Sequence, residues 1–400
     1  MRTSHCPEVA DIFRQHGPAY RESHRLPGNH LRVMRAIEAC RTAVLGGHKD
    51  KCDHCGHLEI SYNSCRNRHC PKCQTLAKEK WIDARSKDLL PVEYFHVVFT
   101  IPSELNTLVL LNRKVMYDLL FCSVSETLME LACDRKHLGA KPGVICILHT
   151  WGQNLMEHPH VHCIVTGGGL SPDGESWVSC RKGFLLPVKV MSALFRGKFL
   201  DLLKDCFQKG ILVFTGISHL QNDFSVFLKC LYDKKWVVYC KNPFSGAEGV
   251  LQYLGRYTHR IAISNNRILA SQNGYVSFLW RDYADGNRQK TMTMKTDEFI
   301  RRFLLHVLPL RYVRIRHFGL LANRNRNNSL TLCRKLLTNE TIPKENIKKE
   351  TWQEQFFRIT GIDVTICPVC QKGKMHRIEI LSPHRCNGPP ILLKGVLWTK

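Results

Sequence analysis

Two short segments carry residue types whose spacing could do phosphate chemistry. HPHVHCIV, residues 158 to 165, sets His160 and His162 two apart in an apolar run that reads as a strand. YLGRY, residues 253 to 257, sets Tyr253 and Tyr257 four apart in a run that reads as a helix. Alternate strand residues share a face, so the two imidazoles can bind one metal ion. Four helical residues turn the chain by about 400°, which leaves the two phenols ~40° apart and ~6 Å along the axis. A phenol with an ordinary pKa of ~10 is a poor nucleophile at neutral pH unless a cation assists it. Two phenols beside one metal could attack a polarised phosphate in turn, and a phosphotyrosine ester conserves the energy of the bond it replaces.

Gln153 stands seven residues before His160 and could return its amide oxygen across a hairpin as a third ligand. Two imidazoles and one neutral oxygen leave positions for water and a phosphate oxygen, which suits Mg²⁺ or Mn²⁺ as a Lewis acid. His158 competes for that third place, with Pro159 setting its direction. The alternation of His158, His160 and His162 also resembles histidine-triad nucleotide hydrolases, in which a histidine attacks the α-phosphate without metal.

Cys52, Cys55, Cys70 and Cys73 form two C-x-x-C knuckles separated by fourteen residues, the arrangement by which two tight turns deliver four thiolates to structural Zn²⁺. Cys65 and His69 lie within that segment and could replace a ligand. Arg66, Arg68 and Lys72 surround the second knuckle and are candidate phosphate contacts. Cys367 and Cys370 make another knuckle, with His376, His384 and Cys386 available to complete a second zinc site. A zinc-finger DNA-binding regulator without catalysis is therefore a third reading.

The net charge of +24 favours a polyanionic partner, nucleic acid first. Nineteen cysteines, many of them single within apolar stretches, indicate reduced thiols. The opening MRTSHCPEVADIF has no apolar core of signal-peptide length, so the expectation is a soluble, cytoplasmic protein with no membrane contact. Assembly into a homo-oligomer is left open.

The elements that must position these groups can be read from periodicity. HLRVMRAIEACRTAVLGG spaces Val33, Ile37, Cys40 and Val44 as a helix stopped by Gly46 and Gly47. YFHVVFTIP is a buried strand, and a helical stretch runs from it to about residue 133. GVICILHTW and PHVHCIVTG form two strands joined by GQNLMEH, and residues 189 to 207 form an amphipathic helix. Residues 227 to 240 read as β-like. A hairpin turns at Gln272, Asn273 and Gly274, and Thr296 caps a helix closed at Pro309. The fold class is α+β, with domains at 1–90 (helix and zinc module), 91–330 (catalytic) and 331–400 (a polar linker at 338 to 350, then a small C-terminal module).

Taken together, the order zinc module, His160-Val161-His162, then Tyr253 and Tyr257 resembles the two-tyrosine HUH rolling-circle transposases of the insertion sequence ninety-one family. SCRNRHCPKCQ, YLGRYTHRIAIS and RIRHFGLLA are similar to family segments, and the resemblance covers most of residues 20 to 330. It implies an HUH endonuclease fold, a central antiparallel sheet flanked by helices. It also implies nicking and joining of single-stranded DNA at element ends through 5′ phosphotyrosine intermediates. Gln153 stands where many replication initiators of the wider superfamily carry an acidic residue. Arg256, Arg260, Arg314 and Arg316 are the candidate DNA contacts, and Phe278, Trp280 and Tyr283, interleaved with Arg281, are candidate base-stacking residues.

Overall fold

The computed structural model describes residues 6–241, 244, 249, 250, 255, 261–283, 285–338 and 350–384. Its strands are β1 (Gly47–Cys52), β2 (Leu58–Tyr62), β3 (Tyr94–Thr100), β4 (Lys141–Trp151), β5 (Glu157–Leu170), β6 (Trp177–Ser179), β7 (Val237–Lys241), β8 (Ile268–Gln272), β9 (Tyr275–Asp282), β10 (Arg288–Lys295), β11 (Ile315–Gly319) and β12 (Met375–Leu381). The helices that matter most for the site are α1 (Val9–Ser23), α2 (Gly28–Ala39), α3 (Pro71–Ser86), α4 (Asn106–Leu111), α5 (Arg113–Cys133) and α6 (Val188–Gln208).

The central sheet is antiparallel in the order β11-β4-β5-β3-β7, with β6 paired to β5. Both faces of the sheet pack against apolar clusters. Phe95, Val97, Phe99, Val144, Cys146, Leu148, Val161 and Cys163 point to one side and pack with Leu120, Val124 and Leu128 of α5 and Phe195 and Phe199 of α6. Tyr94, Ile145, Ile147 and Ile164 point to the other, where Val250, Leu320, Leu321 and Leu330 meet them. The histidines belong to this second face.

Two smaller sheets flank the central one. β8, β9 and β10 form a meander whose first turn is made by Asn273 and Gly274, both in the left-handed region at φ 51° and 77°. Phe278 and Phe299 stack edge-on beneath it, with Val9, Phe13, Met34 and Ile37 of α1 and α2. The N-terminal helices thus share a core with the helix Thr296–Leu305. The third sheet has the order β12-β1-β2, so the C-terminal strand completes the zinc module.

Three local expectations are corrected. Residues 224 to 233 form a helix, Phe224–Asp233, that buries Phe224 and Leu231, and only Val237–Lys241 of the β-like stretch is strand. Its aliphatic run suits a helix that packs one side on α6 as well as it suits a strand. Thr296 is the first residue of its helix rather than the cap, and its buried hydroxyl makes no capping hydrogen bond. That helix ends at Leu305, ahead of Pro309.

Candidate metal centre and cysteine clusters

The strand register gathers the histidines. Across β4 and β5, His149 pairs with His160 and Ile147 with His162; across β3 and β5, Thr100 pairs with His160 and Val98 with His162. Directly paired residues put their side chains on the same face, so His149, His160 and His162 converge with their ring nitrogens within 4.8 Å of one another. The two Nε2 atoms of His160 and His162 are 3.1 Å apart. Octahedral ligands at ~2.1 Å from an ion are separated by about 3 Å along an edge, so the spacing fits a shared cation.

Each ring is oriented from behind. His160 Nδ1 donates to the carbonyl of His158 at 2.6 Å, which directs Nε2 inward. His162 Nδ1 lies 2.8 Å from Nε2 of buried His96, and the two rings stack at 12°. Burial, helped by the Lys241 charge, lowers the His96 pKa to about 3 and keeps it neutral. His149 stacks on Trp151 with ring centroids 4.8 Å apart.

The cluster forms the floor of a cleft of about 510 Å³, walled by Thr100, Trp151, Gln153, Met156 and Glu157 on one side and by Trp280, Arg281, Asp282 and Tyr283 of the flanking meander on the other. Hydrogen bonds to turn carbonyls hold the walls together. Arg267 donates to Gln153 O at 2.6 Å, Arg302 to Asn154 O at 3.0 Å and His306 Nε2 to Leu155 O at 3.0 Å.

Some expected site residues stand elsewhere. Gln153 lines the cleft, but its amide nitrogen donates to Tyr283 Oη at 3.3 Å, and the third group gathered beside His160 and His162 is His149. Phe278 is wholly buried in the meander's core and cannot stack on a base, whereas Tyr283 is 69% exposed. Arg316 is engaged by Asp118 and lies 4.3 Å over the Phe121 ring. Arg314 faces Gln74 Oε1 at 3.5 Å, and burial next to Arg68 lowers its pKa to about 10. Arg68 donates to the carbonyl of Pro309, and Lys72 pairs with Glu8 at 2.5 Å, so both tie the zinc module to its neighbours. Tyr253, Tyr257, Arg256, Arg260 and Cys386 lie outside the described residues. Gly255, between the tyrosines in sequence, is described and buried. A Cβ on it would collide with Ile82 Cδ1, so α3 of the zinc module passes hard against Gly255.

The expected cysteine set Cys52, Cys55, Cys70 and Cys73 is redrawn as two clusters. Cys70 and Cys73 join Cys40 and Cys65, with Cys73 Sγ 3.6 Å from both Cys40 Sγ and Cys65 Sγ. Cys52 and Cys55 join Cys367 and Cys370. The β1–β2 hairpin separates the two knuckles in space and sets Cys52 beside the C-terminal segment, which the local spacing could not reveal. His384 is exposed and outside both clusters.

Comparison with known proteins agrees with this layout. A family model described as "Transposase zinc-binding domain" matches residues 12–101, and one described as "Putative transposase" matches residues 143–329. The chain is 50% identical over 389 residues to "Putative transposase y4qJ" of Sinorhizobium fredii (strain NBRC 101917 / NGR234), covering 96% of this chain and 97% of that one. It is 28% identical over 310 residues to "Transposase for insertion sequence element IS801" of Pseudomonas savastanoi pv. phaseolicola, covering 74% and 70%. No solved structure matches. The matched zinc-binding domain and the four-thiol geometry assign structural zinc to the module, and among the described residues no helix is long and apolar enough to cross a membrane. With a zinc-binding region followed by a transposase region, and with these relatives, the chain belongs to the IS91 family of transposases.

Proposed function

We propose that the chain nicks and joins single-stranded DNA at insertion-sequence ends in rolling-circle-type transposition, with Tyr253 and Tyr257 as nucleophiles. The observation that carries this reading is the convergence of His149, His160 and His162 on one sheet face, at the floor of an open cleft. A divalent ion held by these imidazoles would polarise a non-bridging phosphate oxygen. A tyrosine oxygen, giving up its phenolic proton, would then bond to phosphorus as the bond to the 3′ oxygen breaks. That oxygen takes a proton and leaves as a hydroxyl, while the 5′ phosphate stays on the phenol. In the reverse sense a 3′ hydroxyl attacks the phosphotyrosine and releases the phenol, which joins the strand.

Two features support a single strand as substrate. Beyond Val98 and Thr100 the same sheet face continues onto β7, where Tyr239 pairs with Val98 and Val237 with Thr100, each more than half exposed. Trp280 and Tyr283 line the cleft together with Val98 and Thr100. Unpaired bases stack on such surfaces. Val250, three positions before Tyr253 in the sequence, is buried in one cluster with Tyr94, Ile145 and Ile164 of the histidine face.

The test is incubation of the protein with single-stranded element-end DNA and Mn²⁺, followed by denaturing electrophoresis and mass spectrometry of the nucleotide-bearing peptide. Adduct on Tyr253 or Tyr257, lost in the Tyr253→Phe, Tyr257→Phe double variant that still binds DNA, is the expected result. A phosphohistidine formed from a free nucleotide, unaffected by loss of both phenols, would replace the reading by a histidine-triad hydrolase.

A further inference from the structure

We propose that Cys52, Cys55, Cys367 and Cys370 hold a second zinc ion that clasps the C-terminal segment to the N-terminal module and folds it there. Cys367 and Cys370 lie outside both matched family regions, so the site joins residues more than three hundred positions apart.

The geometry is that of a four-thiolate site. Cys52 Sγ is 3.7 Å from Cys370 Sγ, and Cys55 Sγ is 3.7 Å from Cys367 Sγ, with all four sulfurs within 4.8 Å of one another. Zinc–sulfur bonds of ~2.3 Å in a tetrahedron place sulfurs about 3.8 Å apart. Both knuckles direct backbone N–H groups at their sulfurs. His54 N and Cys55 N approach Cys52 Sγ at 3.4 and 3.5 Å, and Gly373 N approaches Cys370 Sγ at 3.4 Å. Such donors stabilise thiolate over thiol, the form that zinc requires as it displaces the thiol protons.

The backbone around the site is fitted to the same purpose. β12 pairs with β1 from Gly47 to Cys52, and Asp53 receives the Lys374 N–H at 2.8 Å and returns its own N–H to the Lys374 carbonyl at 3.1 Å. Gly373 sits so close that a Cβ would lie 2.5 Å from Cys52 Sγ and 2.6 Å from His54 Cβ. No side chain fits between the knuckles.

The segment has little else to fold it. Among described residues 350 to 384 only Cys367 and Gly373 are buried, while Ile362, Val369, Ile378 and Ile380 are each more than half exposed. A stretch of this size without an apolar core depends on a staple, and the four thiols are the one these residues provide.

The test measures zinc per chain by elemental analysis, with amide hydrogen exchange, on the full-length protein. Wild type should carry two equivalents. The Cys367→Ser, Cys370→Ser variant and the Cys52→Ser, Cys55→Ser variant should each carry one, and the quadruple variant should also carry one, because both pairs serve the same ion. Exchange over residues 362 to 384 should rise at least tenfold in all three while α3 stays protected. Cys367→His, which preserves a zinc-competent donor set, should keep both ions and the protection. One equivalent in wild type, two in Cys367→Ser, Cys370→Ser, or none in the quadruple variant would overturn the proposal.

Discussion

His96 Nε2 lies 2.8 Å from His162 Nδ1 although the residues are on different strands and 66 positions apart. A His162 that offers its Nε2 lone pair to a metal ion carries its proton on Nδ1, and that N–H donates to Nε2 of the neutral His96. That fixes the tautomer that turns His162 Nε2 toward His160. His96→Ala should therefore weaken Mn²⁺ binding by about 10–100-fold, the usual effect of losing such a support. His96→Gln, which keeps an acceptor, should recover part of it. Titration calorimetry with Mn²⁺ checks this, and equal affinity in wild type and His96→Ala would remove His96 from the centre.

His149 rather than Gln153 faces His160 across the sheet. His149→Ala should reduce DNA cleavage by at least a hundredfold at fixed Mn²⁺, and Gln153→Ala by less than about fivefold, since metal polarisation of phosphate supplies several kcal/mol. Three imidazoles are a softer donor set than two imidazoles and an oxygen, so Mn²⁺ should support cleavage better than Mg²⁺. Single-turnover cleavage of labelled element-end DNA measures all three. Higher activity in His149→Ala than in Gln153→Ala would reverse the assignment.

Local pattern was enough to show the strand pair that carries the centre, since the β-branched runs around residues 145 and 163 bracket a polar turn. His149 was also within reach. In a hairpin, paired positions have a constant sum, and a turn centred near residues 154 and 155 sets residue 149 opposite 160. As a single histidine in ILHTW it gave no signal by itself. His96 and Tyr239 were not legible in this way, because β3 pairs with β5 and β7 across long connections whose register no local spacing fixes. The cysteines misled for the same reason. Adjacent C-x-x-C pairs look like one site, but the β1–β2 hairpin carries them apart, and Cys40 and Cys367 enter from distant elements. Basic residues were read as DNA contacts from charge alone, whereas Arg68 and Arg316 meet internal acceptors.

Tyr239 occupies the same sheet face as His162, one strand beyond Val98, and is 56% exposed. If it stacks a base of the substrate strand, Tyr239→Ala should weaken single-stranded DNA binding by roughly 1–3 kcal/mol, and Tyr239→Trp should preserve it. Duplex of the same sequence, whose bases are already stacked, should show no difference among the three proteins. Fluorescence anisotropy at one salt concentration decides the matter, since electrostatic affinity shifts with salt. Equal affinities of wild type and Tyr239→Ala for the single strand would exclude the platform.

Glu157 and His306 are a buried pair, with Glu157 Oε2 3.7 Å from His306 Nδ1. Burial favours their neutral forms, against hydrogen bonds that by themselves favour the charged ones. Tyr117 donates to Glu157 Oε1 at 3.2 Å, while His306 Nε2 donates to Leu155 O and its Nδ1 lies 3.1 Å from the Thr150 hydroxyl. Burial raises the Glu157 pKa from 4.5 to about 7, against the opposing charge of Arg113, and lowers that of His306 to about 4. For a carboxyl whose folded pKa is raised, the folded state holds the extra proton. Its stabilising contribution is full below pH 4.5 and is lost as the pH rises through 7. At 1.36 kcal/mol per unit the loss is about 3 kcal/mol. Glu157→Gln keeps the shape and the acceptor for Tyr117 without the titration, so relative to wild type it should gain about 3 kcal/mol of stability between pH 4.5 and pH 8. Urea unfolding of both proteins at pH 4.5 and pH 8 measures the difference. An ionised Glu157 paired with a protonated His306 would give the opposite sign, with Glu157→Gln losing stability relative to wild type as the pH rises from the ordinary carboxylate range toward 6, and that outcome would end the neutral-pair reading.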